Sequence, residues 1–299
     1  MIQHILVTGG TGFIGQRLCP ELLERGYRLT ILSRRDDAEV RARCGRVNSI
    51  QSTEAVLDLD DIHAVINLAG EGIAEGRWTE ARKRALRDSR IALTHALIDA
   101  LEQRTQRPDI FVSGSAVGYY GSHGGEAVTE DAPPRDEFTH QLCADWEAAA
   151  RRAEAWGARV CLSRTGVVLD RDGGAMARLL LPFRLGLGGR LGDGQQYMPW
   201  IHREDVVQAL IWMLESSDAS GPYNVVSPHP VTNKAFTRAM GKALHRPTLF
   251  TVPAFALRAA MGEQAVLLLE GQRALPARLQ QTQFEFRYPE LEDALHQIV

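Results

Sequence analysis

Val7-Thr8-Gly9-Gly10-Thr11-Gly12-Phe13-Ile14-Gly15 is the stretch on which the reading of this chain turns. It follows the apolar run Ile2–Val7 directly. It then leads into Phe13–Arg25, where Ile14, Leu18, Leu22 and Leu23 recur at helical spacing. Glycines 9, 12 and 15 therefore lie between a strand and a helix. In such a turn one glycine adopts a positive φ, one lets backbone N–H groups approach a pyrophosphate, and one lets the helix pack close to the strand. The helix N-terminus then faces the diphosphate with partial positive charge. Spaced glycines alone mark only a tight turn. With a second strand at Leu29–Ser33, the context predicts a dinucleotide cradle built from Gly9, Thr11, Gly12, Phe13, Ile14 and Gly15.

The end of that second strand selects the dinucleotide. An NAD site places a carboxylate there, about 20 residues past the loop, to accept from the ribose 2′-hydroxyl. Here the strand ends in Ser33, Arg34 and Arg35, with no acid before Asp36. A guanidinium can pair with a 2′-phosphate that a carboxylate would repel. The expected cofactor is NADP(H).

Working outward, short apolar runs alternate with amphipathic helices. Strands are expected at Ala64–Leu68, Ile110–Ser113, Val160–Ser163 and Tyr223–Val226. Helices are expected at Ile91–Leu101, at Thr139–Trp156 and from near Glu204. This order implies an α/β fold of Rossmann type, a doubly wound parallel sheet. Gly186–Gly194 holds five glycines in nine residues and reads as a loop, a candidate flap over the crevice. After Pro228 the character changes, with helices at Asn233–Leu244 and Phe255–Leu269 and a last element at Leu291–Ile298. The expected division is 1–228 for the dinucleotide-binding domain and 229–299 for a small, mostly helical C-terminal part.

Composition narrows the function classes. A chain of 299 residues with net charge −3 and dispersed basic residues points away from nucleic acid and membranes as partners. No apolar run is long enough to span a bilayer, and the first strand starts at once, so a cytoplasmic protein is expected. Cys19, Cys44, Cys143 and Cys161 are widely spaced and read as reduced thiols. The nine histidines form no metal-ligand pattern, and no metal is expected.

Beyond the glycine loop, Asn67-Leu68-Ala69-Gly70, Ser113-Gly114-Ser115-Ala116, Arg164-Thr165-Gly166, Trp200-Ile201-His202 with Asp205, and Tyr223-Asn224-Val225 follow in order. The series resembles the extended short-chain dehydrogenases, which include nucleotide-sugar epimerases and dehydratases. INLAGE, GYYG, LLPFRLGLGG, WIH and GQRALP are similar to an "epimerase family" subgroup carrying an uncharacterised C-terminal domain, over essentially the whole chain. The resemblance implies that Asn67, Leu68, Ala69, Gly70, Glu71, Ser113, Thr165, Gly166, Val167 and Val168 line the cofactor. It also implies that Ser115 holds a substrate carbonyl.

One departure stands out. The wider family carries Tyr-x-x-x-Lys on the helix after the fifth strand, where Lys holds the ribose and makes the phenol exchange protons near neutrality. Counting back from Glu147 puts Thr139 and Cys143 at those positions, and 121–156 contains neither Tyr nor Lys. Arg90, where the family commonly has Asn, could supply the missing positive charge to the cofactor. Tyr119 is the nearest surviving phenol. Glu71, Arg77, Trp78, Gln196, Trp200 and His202 are candidates for the pocket walls. Together these point to an atypical NADP(H)-dependent oxidoreductase or epimerase-like enzyme, monomeric or homodimeric, acting on a small carbonyl or sugar-like substrate. The rival is a non-catalytic NADP(H)-binding sensor or scaffold.

Overall fold

The computed structural model describes residues 2–299. Its centre is a wholly parallel seven-stranded sheet. In chain order the strands are β1 (His4–Thr8), β2 (Arg28–Leu32), β3 (Asn48–Ile50), β4 (Ala64–Asn67), β5 (Ile110–Ala116), β6 (Arg159–Thr165) and β7 (Gly221–Val225). Their spatial order is 7-6-5-4-1-2-3. Strand order reverses between β1 and β4, which opens a crevice at the carboxyl edge where ligands of open α/β sheets bind.

Period-two side-chain alternation sends the strands' apolar residues to both faces. Ile5, Val7, Ile66 and Val112 pack under α1 (Gly15–Glu24), α2 (Asp37–Cys44) and α7 (Arg203–Glu215). Leu6, Val65, Phe111 and Leu162 pack under α4 (Leu93–Glu102) and α5 (Phe138–Arg151). The doubly wound sheet expected from the sequence is thus the observed fold. A short helix α3 (Glu80–Arg87) and one π-helical turn, Asp88–Ala92, precede α4 and carry Arg90.

Two readings of the later chain need correction. Gly186–Gly194 is not all loop: Gly189–Leu191 is a strand paired in parallel with Phe250–Val252. Gly189 permits this because a Cβ there would come within 2.3 Å of the Phe250 carbonyl oxygen. The single helix expected over Phe255–Leu269 is broken. Helix α9 (Ala254–Met261) ends at Gly262, whose φ is +64°, and a separate turn, Val266–Leu269, follows.

Residues 229–299 share a core with the segment before them. Phe236 and Met240 of α8 (Asn233–Leu244), with Leu291 and Leu295, pack on Leu169, Met176, Leu180, Phe183 and Trp200. Met176, Leu180 and Phe183 come from α6 (Gly174–Arg184).

Gly15 fixes α1 against the loop, since a Cβ would stand 2.4 Å from the carbonyl oxygens of Gly9 and Gly10. Both neighbours are backbone and cannot swing aside. Gly15→Ala should cost about 1–3 kcal/mol, the range for overpacking. A lower urea midpoint at unchanged slope is the expected result.

Candidate functional site

The glycine loop is shaped for an anion. Gly9 takes φ +70°, and a Cβ there would meet the Leu68 carbonyl carbon and oxygen at 2.6 Å, so the loop lies against the end of β4. Gly12 is exposed, its nearest neighbour being the Gly9 oxygen at 3.1 Å from a would-be Cβ. Ile14 caps α1 without a side-chain acceptor, and the first turn holds no acid. The N–H groups of Phe13 and Ile14 find no acceptor among the described residues. Helix N-termini normally satisfy such donors with a capping side chain, water or a ligand. The Phe13 ring is held by Gly173 and Gly174, which approach it too closely for any side chain, and by the Arg203 guanidinium 5.0 Å from its centroid.

At the end of β2 the two arginines differ. Arg35 pairs with Glu39, one helical turn ahead on α2, and its N–H donates to Ser33 Oγ. Arg34 is exposed and joins no ion pair or hydrogen bond among the described residues. Asp36 turns away into α2, accepting from the Glu39 N–H at 2.8 Å as its N-cap.

The ends of β4 and β5 separate structural polar groups from lining ones. Asn67 and Ser113 are fully buried. Asn67 Oδ1 accepts from Thr8 Oγ1 at 2.6 Å, and its amide donates to Thr94 Oγ1 at 2.9 Å and Ser113 Oγ at 3.4 Å. These side chains bind β1, β4, β5 and α4 together, which leaves only their backbone for the ligand contact expected of them. Leu68, Ala69 and Gly70 carry the chain over the crevice. The Glu71 carboxylate is engaged by Arg82, which leaves its carbonyl to accept from Arg90 Nη2 at 2.7 Å.

Arg90 lies directly beneath Gly70, where a Cβ would come within 2.8 Å of its Cζ. Its guanidinium rests 5.4 Å from the Trp146 ring and has no carboxylate in ion-pair reach among the described residues. Burial lowers its proton affinity from the ordinary value, although a guanidinium stays charged at neutral pH. The Trp146 indole N–H is buried without an acceptor. Thr139 and Cys143 pack against the Gly118 turn. Burial pushes the Cys143 thiol up to about 12, so it is neutral at physiological pH and no substitute for a lysine.

Ser115 departs from expectation in one respect. It is 6% exposed, and its hydroxyl donates to Glu147 Oε1 at 2.7 Å. Glu147 in turn holds Arg164 through two bonds of 2.8 and 2.9 Å, with both side chains almost wholly buried. Arg164 also donates to the Tyr120 hydroxyl at 2.9 Å, which donates to Asn224 Oδ1 at 2.7 Å. Burial, the largest influence, pushes the Tyr120 phenol up to about 12. The only hydrogen of the Ser115 hydroxyl is therefore already used, and its oxygen is left as an acceptor. Tyr119 lies with its ring 3.4 Å from the Arg164 Cζ and edge-on to His140. His140 Nδ1 lies 2.7 Å from the Tyr119 carbonyl oxygen and acts as the donor in that bond. The Tyr119 hydroxyl has no protein partner among the described residues.

The opposite wall is largely framework. Thr165 and Gly166 continue β6, and Gly166 packs on the Pro199 carbonyl at a distance no Cβ could share. Val167 and Val168 belong to a short strand, Val167–Leu169, paired with Trp200–His202. Trp200 is fully buried and donates to the His229 carbonyl. His202 caps α7 and bonds Gln297, while Gln196 donates to the carbonyls of Leu191 and Leu268. Trp78 is 8% exposed against Phe138, and Arg77 donates to the last carbonyls of α9. Trp200, His202, Trp78 and Arg77 are engaged with the framework, whereas the buried Gln196 Oε1 has no partner among the described residues. The residues that sequence reasoning did not assign are Glu147, Arg164 and His140.

The model of the NAD dependent epimerase/dehydratase family matches residues 5–226, and a domain of unknown function (DUF1731) matches 252–298. An epimerase family protein of Mycobacterium leprae, ML0860, is 40% identical over 97% of this chain and 94% of its own length. The mouse epimerase family protein SDR39U1 is 39% identical over 99% of this chain and its whole length. The crystal structure of human SDR39U1 (isoform 2) with NADPH superposes with a TM-score of 0.90 at 37% identity, covering 99% of both chains. With a family model spanning the sheet and relatives alike over nearly their full length, this chain belongs to the NAD dependent epimerase/dehydratase family.

Proposed function

We propose that the chain binds NADP(H) across the carboxyl edge of the sheet. There it acts in the cytoplasm as an atypical oxidoreductase or epimerase-like enzyme on a small carbonyl or sugar-like substrate. The observation that carries the reading is the uncapped N-terminus of α1 beneath an exposed Gly12, which fits a pyrophosphate. The unpaired Arg34 supports a 2′-phosphate, and Asp36, spent on capping α2, offers no carboxylate against it. The relative solved with NADPH agrees.

The residues then divide the work. Phe13 and Ile14 N–H groups donate to the diphosphate, and Arg34 pairs with the 2′-phosphate. Arg90 brings positive charge beneath Gly70, doing for the shared part of the cofactor what the missing lysine does elsewhere. The bound nicotinamide supplies a hydride. Tyr119 offers the one phenolic hydrogen near the end of β5 that no protein group uses. Ser115, its hydrogen engaged by Glu147, accepts from a substrate hydroxyl rather than donating to a carbonyl. With no lysine beside it, Tyr119 serves as a proton donor and a poor base, which favours reduction over oxidation.

A non-catalytic NADP(H)-binding role has a specific observation behind it, the neutral Cys143 and the occupied Ser115 hydroxyl. Incubation with NADPH and a carbonyl library separates the two readings. Oxidation of NADPH by any member supports the enzyme; tight binding without oxidation supports the sensor or scaffold.

Titration calorimetry should show NADPH preferred over NADH. Arg34→Ala should weaken NADPH alone by about 1.5–3 kcal/mol, the range for a charged hydrogen bond. Arg90→Ala should weaken both cofactors by similar factors, because its contact is to a part they share. Equal affinities in the parent protein would refute the NADP(H) assignment.

Once a substrate is in hand, Tyr119→Phe should lower kcat by roughly 10²-fold or more, the range for losing a general acid. Full activity in that variant would assign the proton to bound water or to the substrate itself.

A further inference from the structure

One face of the molecule carries a charge and exposure pattern that the dinucleotide reading does not use. Segments 174–191 and 242–261 contain Arg178, Arg184, Arg190, Lys242, Arg246 and Arg258 and not one Asp or Glu, in a chain whose net charge is −3. Where these cations form hydrogen bonds, the partners are neutral: Arg178 with the Ala74 carbonyl, Arg190 with Thr251, and Arg246 with the Arg184 carbonyl.

The same segments hold six of the large apolar side chains left in solvent. Leu181, Leu185, Leu187, Leu249, Phe250 and Phe255 are 53–87% exposed. Helix α9 reads Ala-Phe-Ala-Leu-Arg-Ala-Ala-Met, yet none of its residues is buried. The two segments form one surface. Gly189–Leu191 pairs with Phe250–Val252, Arg246 Nε donates to Arg184 O at 2.9 Å, and Pro247 packs against Gly186. Leu181 of α6 and Leu185, the residue that caps that helix, lie one turn apart, as do Phe255 and Arg258 of α9.

We infer that this surface docks peripherally on an anionic lipid bilayer. The protruding leucines and phenylalanines enter the headgroup boundary, and the six cations meet lipid phosphates. No helix among the described residues is long and apolar enough to cross a membrane, so the contact is interfacial. Exposed apolar faces of this kind also mark interfaces between protein copies. A second copy is nevertheless disfavoured, because two-fold pairing would set twelve cations face to face without a carboxylate from these segments to offset them.

The test is sedimentation of the full chain with vesicles of phosphatidylcholine alone or mixed with phosphatidylglycerol. Expected is binding to the mixed vesicles only, lost at high salt. Arg184→Glu with Arg258→Glu should weaken it by about thirtyfold or more, given the usual worth of each surface cation near an anionic leaflet. Phe255→Ser should weaken it with charge unchanged. Both variants replace exposed side chains and should keep native circular dichroism and NADPH affinity. No sedimentation with mixed vesicles, equal binding to both vesicle types, or a dimer in light scattering that Phe255→Ser dissociates would each overturn the inference.

Discussion

The contact on which the carboxyl edge of this sheet depends is the buried pair of Arg164 and Glu147. One sits near the end of β6, the other on α5, and the two bonds between them are 2.8 and 2.9 Å long. Two charges leave water here, and such a pair is tolerable only when the remaining donors and acceptors are met. They are. Ser115 of β5 donates to Glu147, and Arg164 donates to Tyr120 and to the Glu130 carbonyl. Asn224 of β7 accepts from Tyr120, donates to the Leu275 carbonyl, and donates its own N–H to the Glu130 carboxylate. Three strands, one helix and the segment around Leu275 thus converge on one guanidinium. Removing either charge would strand the other, at a cost of about 3–5 kcal/mol.

That arrangement has a chemical consequence. A carboxylate held in place by a guanidinium is a strong acceptor, so the Ser115 hydrogen is drawn inward, away from the crevice. Cys143, four residues before Glu147 on α5, is kept neutral by burial. A positive charge lies instead on Arg90, on a π-helical turn beneath Gly70.

The sequence made the sheet legible because its signals are local. Glycines at 9, 12 and 15 sit between a strand and a helix, and the apolar runs of β1, β4, β5 and β6 are each bounded by polar turns. Helix α8 is found where its periodicity placed it, capped by Thr232. What stayed hidden depends on partners distant in sequence. Gly189–Leu191 forms a strand only because Phe250–Val252 lies beside it, and glycine content alone reads as a loop. Asn67 and Ser113 look like crevice residues by position. Whether their side chains face ligand or framework was decided by Thr8 and Thr94, which close the hydrogen bonds internally.

The basic apolar face shows the same limit from the other side. Averaged over the chain, the cations look dispersed and the net charge slightly acidic. Folding brings 174–191 and 242–261 together, and the acid-free character of each then adds to that of the other. Dispersion along a sequence is therefore no measure of dispersion over a surface. Whole-chain charge argues against nucleic acid or membrane partners only when neighbouring segments in space carry compensating carboxylates. Here α6 and α9 carry none, and Glu263 and Glu270 line a cavity with Arg258 only at the edge of this face. The crevice and the basic face meet at the segment that follows α9, where Lys83 Nζ pairs with Glu263 and Gln264 donates to the Ile73 carbonyl.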